Sequence, residues 1–158
     1  MVEGTAVSGE YKDLDHVSKV RPDLMVIGTE KKEVFEKQLA DAKAAGMKVI
    51  GTHSGAFHCD EVFASVMLLY TKDYANSIIV RTRDEEIVDR LDIVCDVGSI
   101  YDPAKLRFDH HQKTFTDVWS DDEKYKLIRL SSAGLIYRHF GKEVLTNLVK
   151  EIWGQDLT

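Results

Sequence analysis

Apolar residues along this chain fall into short runs separated by stretches that carry a helical repeat. After Pro22, the run Leu24-Met25-Val26-Ile27-Gly28 predicts a short strand. From Lys31 onward, Val34, Phe35, Leu39, Ala42 and Ala45 keep helical period, with Thr29 as the predicted N-cap and Gly46 as the stop. Lys48 to Thr52 reads as a buried strand. Asp60 to Asp73 predicts a helix with Val62, Phe63, Val66, Met67, Leu69 and Tyr70 on one broad apolar face. Ser77 to Arg81 is β-branched and strand-like, Asp84 to Leu91 short, charged and helical. Asp92 to Val97 predicts another buried strand ended by Gly98, and Leu106 to Phe108 a brief one. Asp117 to Glu123 reads as an acidic loop, followed by helices over Ser131 to His139 and Lys142 to Trp153, separated by Gly141. The alternation predicts an α/β fold, a mainly parallel sheet flanked by helices.

At 158 residues the chain has the length of one domain. Residues 1–47 are expected to form an N-terminal extension, mobile over the mixed polar stretch 1–20 and carrying one helix, ahead of a main domain at 48–158. With 44% hydrophobic and 30% charged residues, the composition is that of a soluble globular protein. No apolar run approaches the roughly 20 residues that span a bilayer, so no membrane partner is expected. The first twenty residues carry Glu3, Glu10, Asp13 and Asp15 against Lys12 and Lys19, without arginine. That composition argues against a mitochondrial transit peptide and favours cytoplasm or nucleus. Two cysteines, Cys59 and Cys95, fit a reducing compartment without a disulfide framework. A net charge of −6 means that a nucleic-acid substrate would need a local basic patch and metal ions to hold it.

The chemistry concentrates in three segments: His53, His58 and Asp60; then Asp96; then Asp109, His110 and His111. Four of the six histidines lie in them. Each segment follows or ends a predicted strand, and in open parallel sheets the loops beyond the strands' carboxyl ends converge on one cleft. Taken alone, each segment also reads as a helix cap or a strand-end turn. Together, and in this placement, they read as a two-metal phosphoesterase site. Imidazoles and carboxylates suit first-row divalent ions, which activate a water for in-line attack and neutralise phosphoryl oxygens. Arg81, Arg83, Lys105, Arg107 and Lys113 flank the motifs as candidate phosphate grips, with a solvated strand edge the plainer reading of Arg81 and Arg83.

The stretch Gly51-Thr52-His53-Ser54-Gly55-Ala56-Phe57-His58-Cys59-Asp60-Glu61 closely resembles the first motif of the melanocyte-proliferating-gene-one type of exonuclease, a branch of the DHH phosphoesterase superfamily. Ile79 to Asp84, Asp96-Val97-Gly98 with Tyr101-Asp102-Pro103, Asp109-His110-His111-Gln112 and Leu130 to Tyr137 resemble the later motifs in order, so the likeness covers about residues 48 to 141.

The resemblance implies a DHH-like N-terminal domain with two divalent ions, Mn²⁺ first and Mg²⁺ second. His53, His58 and Asp96 would hold one ion; Asp60, Asp96 and His110 would hold the other. His111 would face substrate phosphate, Asp109 would orient its neighbours from behind, and Arg81, Arg83 and Lys113 would contact substrate. Asp96, Asp109 and His111 are thus the implied catalytic set. Most superfamily members carry aspartate where this chain has His58, a change that lowers the site's charge and favours Mn²⁺, Co²⁺ or Zn²⁺ over Mg²⁺. A fourth motif, an aspartate in an Asp-Asn-Gly stretch, is expected beyond Thr158, so the chain reads as truncated before it and the second ion as less well held. The implied activity is 3′→5′ exonucleolysis of single-stranded RNA, and family members also reach mitochondria. The alternatives are a small-molecule phosphohydrolase, of pyrophosphatase or cyclic-dinucleotide type, and an inert metal-binding fragment. A homo-oligomer is compatible with all three.

Overall fold

In a computed structural model, described over residues 25–29, 31–120, 122–124 and 126–156, ten strands and α-helices follow one another. They are β1 (Val26–Gly28), α1 (Lys32–Ala44), β2 (Lys48–Thr52), α2 (Cys59–Leu69), β3 (Ser77–Arg81), α3 (Glu85–Val88), β4 (Ile93–Cys95), β5 (Tyr101–Asp102), β6 (Arg107–Phe108) and α4 (Ser132–Trp153). The expected mobile stretch 1–20 lies outside the described residues.

The strands form one six-stranded sheet in the order β1-β3-β2-β4-β6-β5. Every pairing is parallel except that of the short edge strand β5 with β6, so the mainly parallel α/β sheet read from the sequence is the one observed. Because β-strand side chains alternate between faces, each central strand feeds two cores. Ile50, Ile93, Cys95 and Phe108 pack with Leu68, Leu135 and Ile136 on one side. Val49, Val80 and Val94 pack with Phe35, Leu39 and Leu91 on the other. The β1–α1 segment, placed by sequence in the N-terminal extension, shares this sheet and the second core. Among the described residues, no helix is long and apolar enough to cross a membrane.

The register aligns the strand ends that matter. Gly51 pairs with Val94 and Cys95 with Phe108, so the residues that follow β2, β4 and β6 emerge along one edge of the sheet.

Three local expectations are corrected. Helix α1 is capped at Lys31 without a side-chain bond, while the Thr29 hydroxyl pairs with that of Thr82 at 3.1 Å and ties β1 to β3 instead. Helix α2 buries Glu61, Ala64, Ser65 and Leu68, leaving Val62, Phe63 and Val66 at 40%, 62% and 43% exposure. Its phase is set by its polar first turn, and the small Ala64 and Ser65 let it lie close to the sheet. Gly141 does not divide the last helix, which runs unbroken from Ser132 to Trp153. Gly141 is buried, and a β-carbon there would stand 2.7 Å from the Tyr137 ring, so this glycine serves a close approach.

Candidate metal centre

The loop Ser54 to His58 carries the chain from β2 into α2, and its shape is fixed from below by an arginine. Gly55 takes φ +99°, open to glycine and strained for other residues. Arg81, at the end of β3, donates from Nη2 to the carbonyls of Gly55 (3.0 Å) and Ala56 (3.3 Å), with its guanidinium carbon 3.7 Å from the centre of the Phe57 ring. Arg83 adds a bond from Nε to the Ser54 carbonyl at 3.3 Å. Both predicted phosphate grips therefore hold the metal loop in this structure. Arg107 likewise spends its guanidinium on the backbone carbonyls of Val88, Asp89 and Leu91.

Held this way, the loop turns His53 inward. The ring is 2% exposed, and its Nδ1 lies 3.1 Å from the Ser54 carbonyl, which accepts and so fixes the hydrogen on Nδ1. Nε2 is buried without a hydrogen-bond partner. It faces two carboxylates, Glu61 Oε2 at 3.5 Å and Asp96 Oδ2 at 3.6 Å. A buried ring nitrogen facing two carboxylate oxygens at distances too long for good hydrogen bonds is an arrangement that a shared cation would complete. His58, on the exposed side, completes this group, and the rings of His53 and His58 lie 5.0 Å apart.

The second group forms on the other side of Asp96. Asp96 closes β4 with φ 60°, an αL conformation that aspartate tolerates better than most residues and one common at functional strand ends. Its Oδ1 lies 3.7 Å from His110 Nε2 and 3.6 Å from His111 Nδ1, and accepts the Ser132 hydroxyl at 3.0 Å. One oxygen thus faces His53 and the other faces His110 and His111. Burial, and then the nearby Asp60 charge, push the Asp96 carboxyl above the ordinary range, with the Ser132 bond opposing them. Asp60 sits 3.3 Å from His110 Nε2 and accepts the first amides of α4, from Ser132 at 3.0 Å and Ala133 at 2.5 Å, where the helix dipole favours a negative charge.

Asp109 works from behind. Fully buried, it accepts the Ser99 amide on Oδ2 at 2.7 Å and holds His111 Nδ1 at 2.6 Å on Oδ1. That bond, supported by the charges of Asp109, Asp96 and Asp60, raises the His111 pKa above its ordinary 6.5 against the pull of desolvation. His110 and His111 open onto a cavity of about 620 Å³ walled by Lys113, Phe115, Leu127, Ile128 and Arg129. Lys113 is the predicted phosphate grip that does stand at this opening.

The structure therefore brings His53, His58, Asp60, Asp96, Asp109, His110 and His111 into one cleft. Sequence reasoning missed Glu61 and Ser132. Glu61 stands three residues after His58, the spacing of a capping box, which was the available signal. Ser132 follows Ser131, whose hydroxyl accepts the Gly134 amide as the N-cap of α4. The donors fall into two groups, His53, His58 and Glu61 in one and Asp96, His110 and His111 in the other, and both sets suit divalent metal ions.

Comparison with known proteins agrees with this reading of the motifs. A family model described as an uncharacterised protein family (UPF0160), MYG1 exonuclease, matches residues 49–156. The MYG1 exonuclease of Mus musculus is 51% identical over 102 residues, 63% of this chain and 27% of its own length. The MYG1 exonuclease of Homo sapiens is 50% identical over the same shares, and MYG1 protein C27H6.8 of Caenorhabditis elegans is 48% identical over 64% of this chain and 30% of its own length. This chain thus spans about three tenths of the length of the curated relatives it matches. No solved structure matches it. With the family model covering most of the chain and the ordered motifs meeting in one cleft, the chain belongs to the MYG1 family.

Proposed function

We propose that this cleft hydrolyses phosphodiesters, acting as a Mn²⁺-dependent 3′→5′ exonuclease on single-stranded RNA. The observation that carries the proposal is Asp96, one oxygen turned to His53 and the other to His110. The name exonuclease borne by the mouse and human relatives supports the same reaction class. RNA, the 3′→5′ direction and Mn²⁺ come from the resemblance of the motifs.

When bound, the ions supply an activated water and neutralise the charge that builds on the phosphoryl oxygens. The chain's own part is to shape that site. His53, His58, Asp60, Asp96 and His110 provide the donors; Asp109 fixes the His111 ring so that Nε2 is free to meet a substrate oxygen. Lys113 and Arg129, on the cavity wall, supply local positive charge to a phosphate chain on a protein of net charge −6. Arg81 and Arg83 act on the substrate through the loop they hold. Phe115, Leu127 and Ile128 give the cavity an apolar surface suited to a base or sugar, which favours a nucleotide chain over pyrophosphate.

The test is digestion of a 5′-labelled single-stranded oligoribonucleotide by this chain with Mn²⁺. The proposal expects a ladder that shortens from the 3′ end and disappears with chelator or in Asp96→Ala. Phosphate release from pyrophosphate without RNA cleavage would favour the small-molecule reading. Metal binding without cleavage of either substrate would favour an inert fragment.

A further inference from the structure

We infer that Glu61 is a direct ligand of the ion held by His53 and His58, in addition to its place at the start of α2. This rests on the metal reading of the cleft and extends it by one carboxylate.

The plain explanation of Glu61 is a helix cap. Both its oxygens accept the His58 amide, at 2.7 and 2.9 Å. Glutamate is almost never fully buried unless paired, however, and one amide asks for one acceptor. Glu61 is 1% exposed. Burying an ionised carboxylate costs several kcal/mol unless charge or hydrogen bonds offset it. The nearest cation, Arg81, is 3.7 Å away at Oε1, with the same nitrogen donating to the Gly55 and Ala56 carbonyls. A single shared amide, the first turn of α2 and a loose ion pair are the partners this buried charge has among the described residues.

The position of Oε2 supplies the missing partner. It lies 3.5 Å from the orphaned His53 Nε2, which in turn lies 3.6 Å from Asp96 Oδ2. Two donors bound to one first-row ion at about 2.0 to 2.2 Å stand roughly 3.0 to 3.6 Å apart, according to geometry. Both separations fall in that interval, and hydrogen bonds would be shorter. The ligand atoms of His53, His58 and Glu61 all lie within 4.8 Å of one another. Charge points the same way: Asp96 would divide its one negative charge between two ions, and Glu61 adds a full carboxylate to the His53 side.

Glutamine separates the two roles, because Glu61→Gln keeps the size and an acceptor for the His58 amide but removes the anionic donor. The experiment is Mn²⁺ titration calorimetry of the wild-type chain, Glu61→Gln and His53→Ala, the last identifying which ion is affected. Melting curves in chelator and the visible spectrum of the Co²⁺-loaded chains accompany it. The inference expects Glu61→Gln to weaken the His53-dependent ion about tenfold or more, with an altered Co²⁺ spectrum and an unchanged melting curve in chelator. Wild-type affinity and spectrum in Glu61→Gln would overturn it and leave Glu61 as a cap alone. Should glutamine disturb the fold, Glu61→Asp, with its charge drawn back by one methylene, decides in the same way: a weakened His53-dependent ion supports the assignment, unchanged affinity overturns it. Failure of the wild-type chain to bind any Mn²⁺ would overturn the metal reading itself, a different result from a variant that binds as well as wild type.

Discussion

The hydroxyl of Ser132, the first residue of α4, donates to Asp96 Oδ1 at 3.0 Å across the cleft. The bond joins a helix start to a strand end that are 36 residues apart. Both side chains are buried, and Asp96 also feels the Asp60 charge, so this bond, with the nearby His111, eases its burial. Removing it leaves a carboxylate oxygen short of a donor. Ser132→Ala is expected to lower stability by about 1 to 2 kcal/mol, as measured by urea unfolding in chelator. A change within error would mean that Asp96 finds another donor.

Gly51 lies in β2, two residues before His53. A β-carbon there would stand 2.5 Å from Leu91 Cδ1 and 3.2 Å from Val94 Cγ2, both in the packed core. Gly51→Ala should therefore cost roughly 1 to 3 kcal/mol from overpacking. Thermal melting checks this, and a variant as stable as wild type would show that Leu91 has room to turn away.

Arg81 is the brace of the loop Ser54 to His58, through two carbonyls and the Phe57 ring. Arg81→Met keeps much of the packing and removes the donors. Amide hydrogen exchange across residues 54–58 is expected to rise at least tenfold, with a loss of about 2 kcal/mol in global stability. Exchange unchanged from wild type would show that the loop holds its shape without the arginine.

His139, on α4, lies with Nε2 2.9 Å from the Tyr101 hydroxyl and packs near the Phe108 ring. Desolvation, and then the charge of Arg138, lower its pKa below 6.5, against the opposing charge of Asp117. A depressed folded value means that the unfolded chain takes up the proton first. The contribution is present above the unfolded value near 6.5 and is lost as pH falls through the folded one. His139→Gln should thus flatten the decline of stability on the acid side of that value, read from melting temperatures at a series of pH values. An identical acid decline in the variant would remove His139 as its source.

Much of this fold was legible because its central strands are continuous apolar runs, as buried parallel strands must be, and because the ligand motifs sit where those runs end. The face of α2 was misread for a physical reason. Apolar spacing pointed to Val62, Phe63 and Val66, but the helix is phased by Asp60, held on the amides of α4, and by Glu61, locked onto the His58 amide. Polar anchors of that kind leave no mark in hydrophobic periodicity. Gly141 was read as a break because a glycine that relieves helix strain and one that admits a neighbouring ring look alike in sequence. The histidines and aspartates of the site announced themselves by type and spacing. Glu61 and Ser132 did not, since their importance lies in what they face across the cleft. The same limit applied to Arg81 and Arg83, whose strand position said nothing of the carbonyls beside them.

The most direct test of the account is Mn²⁺ titration calorimetry of the 158-residue chain and its Asp96→Ala variant. With Asp96 facing both His53 and His110, the wild-type chain should bind Mn²⁺, and the variant should lose affinity at every site by tenfold or more. Absence of binding in the wild type, or undiminished binding in Asp96→Ala, would contradict the claim that the two groups meet on one aspartate to hold metal.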